Sequence, residues 1–316
     1  MKRFKKKIGL LHKRLTIALA YAGRLSVKKS PHKKIIICFD GLFPHGGFVD
    51  RLKGIVSLYE VSKLLGYEFY IQFDNPFHLP VFLKPNKVSW DIAKTDLSWT
   101  PLKTKFLYLM NDFEANPLEI IKQSKATTFI VYTNIDYLPK LYTQWSPSQI
   151  EEKWANNFNE LFQKSDYLKK ELATLGNKKY IGIHTRFTSL MGDFRDTTKK
   201  VLSEEQKQAL LQQLESKIAE IVKQAYYDSY VFSDSMIFLQ FISKNQKVHI
   251  VGGTPKHMDN FNEETSLENH LKTILDFFLM ANSEVIYFLR VAPMYHSSFS
   301  KYAAIVGNKP FKTILN

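Results

Sequence analysis

From Lys34 onward the chain alternates short apolar runs with stretches whose apolar residues recur at helical spacing, and this alternation limits the fold more than any other feature. Lys34 to Asp40 is an isoleucine-rich run closed by Asp40-Gly41, the pattern of a buried strand ended by a turn. Phe48, Leu52, Ile55, Val56, Tyr59 and Leu64 follow at helical spacing, with Gly66 placed to stop the helix. Glu68 to Phe73 and Thr127 to Tyr132 read as the next strands, while Pro76 to Pro117, rich in Pro, Trp and Phe, shows no regular period. A long polar-faced helix is expected between Ser148 and Thr174. The alternation then restarts, with strands over 179–184, 229–232, 247–251 and 284–288 and helices over 204–225, 236–243, 268–280 and 298–306. Strands separated by helices imply parallel sheets covered on both faces. Two such blocks meeting near residues 175–178 predict an α/β protein with two Rossmann-like domains, 34–175 and 176–316, facing a central cleft. Ligands of open parallel sheets bind at the carboxyl ends of the strands.

Charge separates residues 1–33 from this body. Of the 44 Lys and Arg, twelve fall in residues 1–34, which hold no Asp or Glu, so the other 282 residues carry 32 basic against 30 acidic groups. The formal charge of +14 is therefore concentrated in one segment. A fold that grips nucleic acid needs cations spread along a face, to neutralise many phosphates at once, and no nucleic-acid partner is expected here. With 45% apolar and 14% aromatic residues the body can bury a large core, which excludes disorder. The lone Cys38 can form no intrachain disulfide, and a reducing, cytoplasmic setting is expected.

Within the basic segment the longest uncharged run, residues 15–23, is far short of the roughly 20 apolar residues that span a bilayer. Leu11, Leu15 and Leu19 at helical spacing beside Lys and Arg predict an interfacial helix at an anionic membrane surface, with the protein peripheral at the inner face. A secretory leader and a solvated basic arm are the alternatives.

Four motifs carry candidate chemistry. Gly46-Gly47-Phe48-Val49-Asp50-Arg51-Leu52-Lys53-Gly54 joins the first strand to its helix; paired glycines allow close approach of a ligand, and a helix start offers unpaired N–H groups to an anion. A tight turn without a ligand is the plain alternative. In Gly182-Ile183-His184-Thr185-Arg186, strand alternation puts His184 and Arg186 on one face, where a guanidinium can neutralise a phosphate; a surface arginine ending a strand is the plain alternative. The turn Ser233-Asp234-Ser235 follows another strand; Asp234 either caps the next helix or contacts a nucleoside. Finally, Ser297, Ser298 and Ser300 crowd the start of the last helix around Phe299, as a phosphate cradle or as one N-cap with idle neighbours.

In this order, Gly-Gly-Phe-x-Asp-Arg-Leu-x-Gly, His-x-Arg, Ser-Asp and Ser-Ser-Phe-Ser-x-x-Ala-Ala resemble the GDP-fucose-dependent α1,2-, α1,6- and protein O-fucosyltransferase superfamily, which includes family 11 and the nodulation fucosyltransferases. The resemblance is loose over residues 35–310 and specific only at the motifs. Family members usually carry His-x-Arg-Arg, and Phe187 stands here at the second arginine. The resemblance implies a GT-B fold, with an acceptor-side first domain and a donor-binding second one. It also implies an inverting transferase that uses GDP-fucose as donor and a surface glycan or lipid-linked oligosaccharide as acceptor, in polysaccharide synthesis. By the same resemblance Arg186 stabilises the departing phosphate, His184 is its neighbour, Ser297, Ser298, Phe299 and Ser300 hold the diphosphate, and Asp234 meets the nucleoside. Gly46, Gly47, Asp50, Arg51 and Ser233 complete the expected donor contacts.

An inverting reaction needs a base for the acceptor hydroxyl, and Asp193 or Asp196, in the loop after Arg186, could serve, Asp193 first; a solvated loop charge is the alternative for each. No cofactor is expected. The chain has no Asp-x-Asp pair to bridge a metal to a diphosphate, so no metal is expected either. Trp90, Trp99 and Phe113 are expected on the acceptor side. Two other readings compete: the same fold with a different nucleotide sugar, which Phe187 favours, and a non-catalytic basic adaptor for membrane or nucleic acid.

Overall fold

The computed structural model describes residues 2–24, 32–97, 99, 100, 102–174, 178–196, 198–259 and 267–315. The chain divides into two compact units, Met1–Ser165 and Asp166–Asn316. The expected boundary at residues 175 and 176 lies outside the described residues.

In the first unit α1 (Lys2–Ala20) precedes β1 (Lys34–Phe39), α2 (Phe48–Leu65), β2 (Glu68–Phe73), β3 (Leu83–Pro85), β4 (Thr104–Tyr108), α3 (Pro117–Lys122), β5 (Thr128–Tyr132), α4 (Leu138–Leu141), α5 (Pro147–Leu161) and β6 (Phe162–Lys164). Four strands form a sheet in the order β2-β1-β5-β4, every pair parallel. As expected of a central strand, β1 is an unbroken apolar run. Helix α2 is buried through most of its length and starts at Gly47. Gly54 explains the end of the first motif: a Cβ there would lie 2.4 Å from the carbonyl oxygen of Thr133, so only glycine lets α2 approach the end of β5.

Three sequence expectations are corrected here. The irregular stretch contains β4, an edge strand too mixed in polarity to show a period. The long helix over 148–174 is two helices, broken where Phe162 takes extended backbone and β6 pairs antiparallel with β3. The break lets the Phe162 ring pack against Trp90 and Phe158. Trp90 is core, its indole N–H bonded to the Leu161 carbonyl. Trp99 packs on Phe106 and donates to the Tyr21 carbonyl.

Residues 1–33 were expected to stand apart, yet α1 packs against β4 and belongs to the first unit. Ile17 and Tyr21 are wholly buried among Ile36, Phe43, Ile130 and Tyr132. Beyond β1, the buried Asp40 carboxylate accepts from the hydroxyls of Tyr21 (3.0 Å) and Tyr132 (2.9 Å) through Oδ2, and from the Leu42 N–H through Oδ1. Lys94 Nζ stands 3.6 Å away. The segment bearing α1 is thus tied to the end of the first strand by a charge-assisted bond.

The second unit runs α6 (Asp166–Ala173), β7 (Tyr180–Thr185), α7 (Glu204–Gln224), β8 (Asp228–Ser233), α8 (Met236–Ile242), β9 (Val248–Ile250), α9 (Leu267–Asn282), β10 (Ile286–Arg290), α10 (Phe299–Gly307) and β11 (Phe311–Leu315). Its sheet is parallel throughout, in the order β11-β10-β7-β8-β9, with β7 at the centre. Strand β11, at the edge and largely solvated, was not foreseen. Ser203 and Gln206 form a capping box at the start of α7, and Leu210, Leu211, Leu214, Ile218 and Ile221 turn its apolar stripe onto the core. The α/β class with two Rossmann-like parallel sheets is what the structure shows.

Candidate active site

The carboxyl ends of β7, β8 and β10 bring most of the expected residues together within the second unit. Register does this: Thr185 lies opposite Ser233 and His184 opposite Phe288, so the residues that follow these strands become neighbours. Arg186 leaves the end of β7 with its side chain 20% exposed. Its Nε is 3.2 Å from Asp234 Oδ2, Nη2 donates to Asp196 Oδ2, and the guanidinium lies 4.7 Å from the Phe194 ring centroid. Its carbonyl accepts from Tyr295 N–H at 3.3 Å, which joins this strand end to the loop leading into α10.

Asp234 does not cap α8; Ser235 does, accepting from the Phe238 N–H. Buried in the loop instead, Asp234 accepts from Phe187 N–H (2.8 Å) and Thr188 N–H (2.7 Å) and pairs with Arg186. Thr188 takes a left-handed φ of 57° to turn its N–H inward. Burial raises the Asp234 pKa, against the lowering pull of Arg186 and these N–H groups. With both oxygens engaged, Asp234 orients Arg186 and fixes the loop. Ser233 accepts from the Ser235 N–H within the same turn.

His184 is buried in the strand, its Nδ1 2.9 Å from Ser300 Oγ and its ring between Phe288 and Phe299. Burial, then the nearby Arg186 charge, lowers its pKa to about 3, so the imidazole is neutral and serves as a hydrogen-bonding strut under α10. Ser297 Oγ accepts from the Phe299 N–H, and Ser298 holds the N-cap position without a side-chain cap bond. The three serines thus have different roles: Ser300 anchors the helix from inside, while the buried Ser297 and half-buried Ser298 shape its start.

Asp193, the first-named candidate base, accepts from Ser235 Oγ (3.0 Å) and Ile237 N–H (2.8 Å) at the start of α8. Of the two candidate bases, Asp196 is the one that reaches Arg186. Phe187, where a second arginine is usual in the resembled family, is wholly buried against Phe238.

The glycine motif lies in the first unit. Gly46 needs its left-handed φ of 82°, and Gly47 caps α2. Asp50 pairs with Lys53 at the surface. Arg51 is wholly buried, donating to the carbonyls of Gly46 (3.1 Å) and Asn75, with the Phe39 and Phe73 rings 5.8 and 5.3 Å from its guanidinium. Arg51 therefore welds the loop to its neighbour rather than presenting a free cation. Among the described residues no group of three or more His, Cys, Asp or Glu is placed to hold a metal ion.

Two Rossmann-like units, one with an arginine and a serine-flanked helix start at adjacent strand ends, define an α/β frame suited to holding an anion. No protein-family profile and no curated protein matches the chain by sequence. Solved structures do match in fold. NodZ α1,6-fucosyltransferase soaked with GDP-fucose aligns at 15% identity and TM-score 0.52, over 87% of this chain and 92% of that one. The same enzyme co-crystallised with GDP gives 16% and 0.52, over the same shares. Arabidopsis thaliana FUT1, a mutant form in complex with GDP, gives 12% and 0.57, over 96% of this chain and 76% of that one. The chain shares the fold of these fucosyltransferases across both of its units.

Proposed function

We propose that the protein is an inverting, metal-independent glycosyltransferase that moves fucose from GDP-fucose to a hydroxyl of a surface glycan or lipid-linked oligosaccharide, in the cytoplasm. The observation that carries this reading is Arg186 at the end of the central strand, joined through Tyr295 to the loop that sets Ser297 and Ser298 at the start of α10. Fold likeness to enzymes holding GDP-fucose or GDP supports the same donor class.

In this reaction the acceptor oxygen bonds the sugar's anomeric carbon as the bond from that carbon to the β-phosphate oxygen breaks, and negative charge builds on the departing GDP. A cation and N–H dipoles fixed at that point stabilise the transition state more than the ground state. Arg186 supplies the cation, and the first turn of α10 supplies N–H groups. The acceptor proton goes to a carboxylate. Because Asp193 is engaged at the start of α8, we assign that role to Asp196. Asp196 pairs with Arg186; an arriving diphosphate competes for the guanidinium and releases Asp196 to take the proton.

A different nucleotide sugar is the second reading, and buried Phe187 favours it, since this position offers no second phosphate contact. Thermal-shift titration with GDP, UDP, CMP and GDP-fucose separates the two, because a ligand of the folded state raises stability by mass action. GDP and GDP-fucose are expected to raise Tm. Stabilisation by UDP or CMP and not by GDP would overturn the fucose assignment.

A further inference from the structure

Helix α1 presents two opposed faces. Ile17 and Tyr21 are buried in the first unit, and Lys13 Nζ lies 4.7 Å from the Phe43 ring centroid on the same side. At about 100° per residue, Leu11, Leu15 and Leu19 form a row roughly opposite that face, and they are 59%, 53% and 74% exposed. Single exposed leucines are ordinary on a protein surface; three in register on one helix make a stripe. Seven Lys and Arg lie from Lys2 to Arg14, Lys13 among them on the packed side, and no acidic residue precedes Asp40.

We propose that this stripe seats on an anionic lipid bilayer, with α1 lying in the interface and the first unit held from its opposite side. The chemistry selects the occupant. A nucleic acid would answer the charge but has no use for a row of leucines, whereas a bilayer surface offers acyl chains to the leucines and anionic headgroups to the cations. No helix among the described residues is long and apolar enough to cross a membrane, so the contact is interfacial. The docked face makes it a rigid one: Tyr21 is bonded to Asp40, and Trp99 donates to the Tyr21 carbonyl. Membrane contact would therefore orient the first unit, not merely tether it. This inference does not depend on which donor is used.

The test is cosedimentation of the full chain with vesicles of phosphatidylcholine alone or mixed with phosphatidylglycerol. Binding is expected only to the mixed vesicles and should weaken as salt is added. The Leu15→Glu/Leu19→Glu variant should lose partitioning on the order of 10²-fold or more, with wild-type Tm and circular dichroism, since neither leucine is buried. Lys5→Glu/Lys6→Glu/Lys7→Glu should remove the preference for phosphatidylglycerol. Failure of the wild type to bind mixed vesicles would overturn the proposal, as would undiminished binding by the leucine variant. Binding to RNA that ignores the leucine change but not the lysine change would replace the bilayer with a nucleic acid.

Discussion

One guanidinium, that of Arg186, serves two carboxylates and a phenyl ring, and each contact has a separable consequence. Arg186→Ala should lower turnover on the order of 10²-fold or more, the usual effect of losing a preorganised transition-state donor; near-normal turnover in a purified, folded variant would remove Arg186 from the reaction. Asp196→Asn tests the exchange of partners. Without the competing carboxylate, GDP should bind on the order of 5-fold tighter, which is roughly 1 kcal/mol, while kcat falls on the order of 10²-fold or more through loss of the base. A structural role alone would weaken both, so titration calorimetry beside turnover decides it. The placement of His184 and Arg186 at the end of β7 was legible because an apolar run leads into them. The work of Asp234 was not, since it depends on Thr185 lying opposite Ser233, a register that one sequence does not encode locally. The partners of Arg51 were unreadable for a related reason: the Asn75 carbonyl and the Phe73 ring come from outside the glycine motif, which carries no mark of them.

Among the elements, the strong periods were the readable ones. Helices α2, α7, α9 and α10 and the strands β1, β2, β5, β7, β8, β9 and β10 fall within a few residues of where apolar spacing puts them. The failures are elements made by tertiary pairing: β3 and β6 are three residues each and exist only through each other, while β11 is a solvated edge. Glycines of close approach belong to this scale too. Gly54→Ala forces a methyl group against the Thr133 carbonyl, and overpacking there should cost about 1–3 kcal/mol or more, measurable as a lower urea midpoint with an unchanged m-value. Gly66→Ala meets no such neighbour but must hold a φ of 67°, so its smaller loss would come from strain alone.

For the molecule as a whole, two α/β units were legible because the alternation restarts, and the fold likeness extends across both. Each unit also buries a histidine that stays neutral. The His45 pKa is lowered to about 2, by burial and then by Arg51, and the His184 pKa to about 3. An unfolded histidine titrates near 6.5, so below that pH the unfolded chain binds protons that the folded one refuses. The stabilisation from both sites is complete above about pH 6.5 and is lost as pH falls toward the folded values, by up to about 1.4 kcal/mol per pH unit for each. Urea midpoints should therefore fall between pH 7 and pH 5, and His184→Gln should reduce the slope; a flat profile in the wild type would contradict buried neutral imidazoles.

The carboxylate of Asp40 ties together positions 21, 40 and 132, far apart along the chain. Any descendant sequence that replaces Asp40 with an apolar residue leaves the Tyr21 and Tyr132 hydroxyls, 3.3 Å apart, with only each other, so one buried O–H goes unpaired at a cost of about 1–3 kcal/mol. These three positions should therefore drift as one set through related genomes, and a lineage that sheds the basic helix should show Asp40 and Tyr132 released together.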